Sequence, residues 1–181
     1  MDTIYVQPGK SIGPLILGMH RTEIEAELQK LSSQKEVQLR EDSSKGSECY
    51  HVRYFVGDSR IFFMVGYDMD KRAVSISAHR DARPELYGLD VSQTEAEPLV
   101  ETLKQYDVCV FDYWDEQLST QYTFPTIGVR LWREMAFHRK LLEDAAWMEE
   151  MSEVLEDEYE HLYFELVTVF VPEYGETLCY V

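Results

Sequence analysis

G-P-L-I-L-G-M-H-R-T-E-I-E-A-E-L-Q-K-L, Gly13 to Leu31, is the stretch whose reading decides the fold. Leu15, Ile16 and Leu17 form a short apolar, strand-like run that ends at Gly18, and a helix opens behind it. Thr22 followed by Glu25 has the T-x-x-E spacing of a capping box, in which hydroxyl and carboxylate satisfy the orphan amides of a first helical turn. Ile24, Leu28 and Leu31 then share one helix face. Seventy positions on, Gly88, Leu89, Ser92 and Glu95 take the places of Gly18, Met19, Thr22 and Glu25, and Glu-Ala-Glu stands at 95–97 as it does at 25–27. The echo predicts two α-then-β units.

Working outward, Thr3 to Gln7 reads as a short strand closed by Pro8-Gly9. After the first helix, runs at 36–41, 49–56, 61–67 and 73–78 alternate with turn-forming clusters at 42–47, 57–59 and 68–71. That pattern predicts a four-stranded antiparallel meander, with Val74, Ile76 and Ala78 facing one way. Residues 79–86 read as a polar connector. The second helix should turn Ala96, Leu99, Val100 and Leu103 inward. A start at Thr94, capped with Glu97, keeps Pro98 near the first turn, where a missing N–H is tolerated. Strands are expected at 108–114, 119–124 and 127–132, then a long helix over 134–161 with Leu141, Met148, Leu155 and Leu162 seven apart. Further strands follow at 165–171 and 177–181. Strands that come in blocks rather than in βαβ alternation define the α+β class, here antiparallel sheet with three main helices. The chain is expected to be one domain, 1–181, with half-repeats at 1–79 and 87–181.

Charge narrows the partners. Acidic residues number 34 against 17 basic, a net charge of −17. Such a surface repels phosphate, so nucleic acid and anionic membrane are excluded as expected partners, and a basic protein is the electrostatic complement. Solubility alone accounts for the same charge equally well. Cys49, Cys109 and Cys179 are odd in number, lack C-x-x-C spacing and sit among apolar neighbours, as reduced core cysteines do. The N-terminal residues show no signal-peptide pattern and no apolar run reaches the length of a membrane span, so a cytoplasmic location is expected.

No motif names a reaction. Glu158-x-x-His161 has di-iron ligand spacing but lacks the further glutamates and second Glu-x-x-His that such a site needs, so no metal is expected. There is no nucleophile elbow and no phosphate-binding glycine loop, hence no expected cofactor or catalytic residue. Two clusters stand out instead. Asp112, Tyr113, Trp114, Asp115 and Glu116 mix aromatic anchors with acids at a strand end. Residues 149–160 hold seven carboxylates and no lysine or arginine, among them Glu149, Glu150, Glu153, Glu156, Asp157 and Glu160. Like charges one turn apart weaken a helix, and a cationic partner would relieve them. The plainer reading of the first cluster is strand alternation with one or both aromatics in the core, and that of the second is a solvated face anchored by its apolar stripe.

Gly18-Met19-His20-Arg21-Thr22-Glu23-Ile24 resembles the G-M-x-x-x-[EQ]-[VI] helix opening of beta-lactamase inhibitor proteins and of small outer-membrane assembly lipoproteins. The former are built from two tandem α/β repeats, which fits the seventy-residue echo. I-G-P-L-I-L-G-M at 12–19, with Y-T-F-P-T-I-G-V-R-L-W-R-E at 122–134, looks like small cytosolic bacterial proteins, some of them immunity proteins for polymorphic toxins. The sequence shows no signal-peptide pattern, lipobox or paired set of cysteines, so a departure from the secreted families is expected. What the resemblance implies is a fold style and a protein partner, with no contact residue to carry over. The expectation is a cytoplasmic protein-binding or inhibitor module acting through an acidic-aromatic surface. The alternatives are a small-molecule binder or an enzyme, which needs a pocket near His51, His79 or Arg133, and a homodimer built on the long helix.

Overall fold

Alternating apolar positions place four strands of the first half side by side, and the same happens in the second half. The computed structural model describes residues 3–32, 37–42, 50–56 and 62–172. In the first half, β1 (Ile4–Gln7), β2 (Ser11–Ile12) and β3 (Leu15–Ile16) lead to α1 (Arg21–Leu31) and the meander β4 (Val37–Asp42), β5 (Tyr50–Val56), β6 (Phe62–Tyr67) and β7 (Ala73–His79). The second half contains β8 (Pro84–Leu86), β9 (Leu89–Asp90), α2 (Ala96–Leu103), β10 (Val110–Phe111), β11 (Gln121–Phe124) and β12 (Val129–Trp132). Two short helices, α3 (Ala145–Glu150) and α4 (Leu155–Glu158), precede β13 (Leu166–Phe170). The class is α+β.

The larger sheet runs β10-β11-β12-β13-β7-β6-β5-β4, antiparallel throughout. The last strand of each half therefore meets the other at the centre, with Val167 opposite Ala78 and Val169 opposite Ile76. A smaller sheet, β3-β2-β1-β8-β9, joins the halves a second time through the parallel pair β1–β8. The residue before each helix also bridges to the approach of its half's last strand: His20 pairs with Arg72 and Glu95 with Tyr163.

One core lies between the large sheet and the helices. Ile24 and Leu28 of α1 and Ala96, Leu99, Val100 and Leu103 of α2 bury against Val52, Tyr54, Phe63, Val65, Leu131 and Val167. Burying each large apolar side chain contributes about 1.5–3 kcal/mol, so this layer is the main source of stability. Tyr54 and Tyr67 bring their hydroxyls into it, 2.7 Å apart, each satisfying the other. Gly128 holds φ at +65° where its backbone approaches Gly9; a Cβ there would lie 2.5 Å from the Phe170 carbonyl oxygen, so only glycine fits.

Several expectations are corrected. The cap of α1 is His20 with Glu23, not Thr22 with Glu25: the Glu23 carboxylate accepts from the His20 amide at 2.8 Å, and Glu25 pairs with Arg21. The imidazole supplies the acceptor two residues earlier than the threonine would. α2 starts after Glu95 with no side-chain cap, so the Thr94–Glu97 box does not form, while Pro98 does fall in the first turn. The connector at 79–86 contains a 3-10 turn, Arg80–Ala82, and then β8, whose partner β1 is too remote in sequence to be foreseen. Val74 leaves the face shared by Ile76 and Ala78, because the register shifts at Gly66/Tyr67; it packs with Phe170.

The long helix over 134–161 is broken into a 3-10 turn (Arg139–Glu143), α3, α4 and a second turn (Tyr159–Leu162). Asp144 restarts the helix by accepting from the amides of Ala146 and Trp147. Of the seven-spaced residues only Leu162 is buried, so the helix has no continuous surface to pack on. The expected turn at 57–59, Cys49, Cys179 and the strand at 177–181 lie outside the described residues. Among the described residues, no helix is long and apolar enough to cross a membrane.

Candidate partner-binding surface

The strand expected through Trp114 stops at Phe111 because Asp112 turns its side chain onto the backbone ahead of it. Its carboxylate accepts from the amides of Thr120 and Gln121, both at 3.0 Å, and from the Thr120 hydroxyl at 2.8 Å. Partial burial works against this charge, but those bonds outweigh it and hold the carboxyl below the ordinary aspartate range. Asp115 caps the following 3-10 turn, Glu116–Leu118, through the Gln117 amide. Ser119 accepts from the Tyr113 amide and donates to the Asp115 carbonyl. The loop is thus closed on itself by its own polar groups, and the two aromatics between them project outward. Trp114 is 78% exposed and Tyr113 50%, their rings tilted at 5.5 Å. Neither is a core residue.

The base of this loop is pinned by Arg133, which is only 1% exposed. Its guanidinium donates to the carbonyls of Phe137 at 2.7 Å and Ser119 at 3.3 Å and to the Tyr122 hydroxyl at 3.2 Å. Longer contacts reach the carbonyls of His161 and Gln117. It also lies over the rings of Tyr122 and Phe164, at 5.7 and 5.8 Å. One buried cation therefore ties the 115–119 loop to the segments at 137 and 161. Phe137 in turn stacks on Trp147 of α3 at 5.4 Å and meets Tyr159 edge-on.

This network brings both acidic clusters to one end of the sheet. Glu149 and Glu150 are exposed on α3, just beyond Trp147, and Glu153 is exposed in the turn that follows. Glu160 is also exposed, but its carboxylate is paired with Arg80. Glu156 and Asp157 belong to α4, and their side chains lie outside the described residues. In the first cluster, Asp112 and Asp115 are spent on the loop, and Glu116 pairs with Lys104 at 2.6 Å. Lys104 also takes Glu101, and the two carboxylates overcome burial to hold its ammonium above the ordinary lysine range.

Burial pushes the Cys109 thiol up to about 12, far from a reactive thiolate. His138 is buried, its pKa lowered by burial, and its Nδ1 has no hydrogen-bond partner among the described residues. No group of three metal-ligating side chains is present among the described residues. A cleft of about 490 Å³ lies between Arg80, Arg83, Tyr159 and Tyr163, with both arginines already facing carboxylates. Arg133 itself lines cavities of about 160 and 10 Å³. These cavities lie beside a junction of several chain segments, which single-residue patterns in the sequence do not signal.

Comparison of the chain with protein-family models, with curated proteins and with solved structures finds no match in any of the three.

Proposed function

We propose that this chain is a protein-binding module which takes a basic partner on the acidic-aromatic end of its large sheet. The observation that carries the reading is Trp114, 78% exposed on a loop fixed by its own hydrogen bonds. A large apolar ring held out in water buries little on folding, and a loop tied by its own hydrogen bonds would lower the entropic cost of using that ring as an anchor. The surrounding carboxylates and the net charge of −17 would speed encounter with a cationic surface. Within this class, the particular reading we favour is a cytoplasmic inhibitor of the immunity-protein kind, acting on a basic toxin such as a nuclease. The pairing of two helix-plus-four-strand halves supports the half-repeat reading of the sequence.

The test is capture from host lysate at low salt on immobilised wild-type protein and on a Tyr113→Ala/Trp114→Ala variant with unchanged melting temperature. A basic protein retained by the wild type and lost by the variant, with binding that weakens as salt rises, supports the proposal. Equal retention by both, or a partner that is acidic, rejects it. The cleft at Arg80 and Tyr163 favours a second reading, a small-ligand binder, because its volume falls in the usual ligand-site range. Saturable stabilisation by a small anionic metabolite, lost in Arg83→Ala, would favour that reading instead.

A further inference from the structure

An open sheet edge stands beside the exposed aromatics. β10 is the outermost strand at its end of the eight-stranded sheet among the described residues. The Asp112 amide donates to the Gln121 carbonyl, so in this antiparallel register the N–H and C=O of Phe111, and by alternation those of Cys109, point away from β11. Those outward groups have no partner among the described residues.

Protected edges carry charge, and this one does not. The strand at the other end of the sheet, β4, reads V-Q-L-R-E-D, with three charged residues in six. Residues 108–111 read V-C-V-F with none. Val108 and Val110 are 74% and 54% exposed on one side of the edge, and Tyr106, Tyr113, Trp114 and Leu118 are also exposed at its two ends. On the opposite side, Cys109 and Phe111 pack inward against the core. The charged groups that act on Cys109 there are Glu116, Asp107 and Glu101, against Lys104.

We infer that the Val108–Phe111 edge accepts an extended segment of a basic protein as an added antiparallel strand. That segment would set apolar residues over Val108 and Val110 and alternate them with lysine or arginine, drawn by the net negative charge that Glu101, Asp107 and Glu116 leave beside Cys109 after Lys104 is counted. The inference rests on the protein-binding reading above and names the form of the partner. A second copy of this chain is disfavoured as the occupant, because it would bring a further net charge of −17 to an edge already flanked by acids. Main-chain pairing supplies the attachment, and the alternate side chains supply the selectivity.

The probe is a capped peptide of about eight residues alternating lysine and valine, long enough for one strand. Amide hydrogen exchange, followed by nuclear magnetic resonance, reads the register. In the free protein Cys109 and Phe111 amides exchange fast, while Val110 and Asp112, bonded to β11, are protected. Saturating peptide should protect Cys109 and Phe111 and leave the other two unchanged. A peptide N-methylated at alternate bonding amides should give no such protection, and Val110→Lys should weaken binding of the parent peptide about tenfold, through like charge at the edge. Unchanged exchange at Cys109 and Phe111, equal binding of the N-methylated peptide, or protection of the two amides in a free-protein dimer overturns the inference. If the captured partner binds Val110→Lys as well as wild type but still fails on Trp114→Ala, the edge reading falls and the protein-binding reading stands.

Discussion

Replacing Arg133 by methionine removes the side chain that holds three segments together at the partner-binding end. Methionine fills much of the same space but leaves the Phe137 and Ser119 carbonyls, now bonded at 2.7 and 3.3 Å, without a donor. Each buried acceptor left unsatisfied costs about 1–3 kcal/mol. Opposing this, no carboxylate contacts the guanidinium among the described residues, and a buried cation carries a desolvation penalty of several kcal/mol that the variant escapes. The ring faces of Tyr122 and Phe164 return about 0.5–2 kcal/mol of that penalty in the wild type. With five oxygens converging on one guanidinium, the acceptor loss outweighs the relief, and we expect a net destabilisation of about 2–4 kcal/mol. For a chain of 181 residues this lowers the melting temperature by about 5–15 °C. Thermal unfolding followed by circular dichroism measures the shift, and limited proteolysis should cut first within 112–119. Arg133→Lys, with one point charge in place of the fork, should fall between wild type and methionine. A methionine variant that melts within about 2 °C of wild type, or above it, refutes the pin.

The Tyr54–Tyr67 pair should be strongly non-additive: Tyr54→Phe or Tyr67→Phe alone costs about 1–2 kcal/mol by orphaning the other hydroxyl, whereas the double variant is close to neutral, as denaturant unfolding of all four proteins would show. Burial lowers the His138 pKa, so the unfolded chain binds the extra proton first; stability is full above the ordinary histidine value of 6.5 and falls as pH drops below it. His138→Phe should flatten that fall in denaturant midpoints measured from pH 7.5 to 5, and an unchanged slope counts against the buried neutral imidazole. Cys109 should resist alkylation at pH 8 in the native protein and react on unfolding, as mass spectrometry of its peptide would report; fast native labelling contradicts a thiol raised to about 12. Trp114→Ala should leave the melting temperature within about 2 °C of wild type, because the ring buries little area.

The sheet was legible where neighbours in sequence are neighbours in space. The alternation of Val52, Tyr54 and Val56 with half-buried residues is the local signature of β5, and Leu99, Val100 and Leu103 mark the buried face of α2. Capping was harder, because His20 and Thr22 both offer acceptors near the start of α1 and only packing selects between them. The seven-residue spacing from Leu141 to Leu162 looked like one helix, yet periodicity without a surface to bury against does not keep a helix whole. β8 depends on β1 and the pin at Arg133 joins three segments, so neither leaves a local trace. The aromatic-acidic cluster was visible as composition. The division of labour inside it, with Asp112 and Asp115 holding the loop and Trp114 left in water, required the folded backbone.

The most direct test of the protein-binding account is hydrogen–deuterium exchange on the complex with the captured partner. The account predicts slowed exchange at 106–119 and over 145–161, with little change at the cleft around Arg80 and Arg83. Protection confined to that cleft or to the outer face of β5 and β6, with the Trp114 loop exchanging as freely as in the unbound protein, would contradict it.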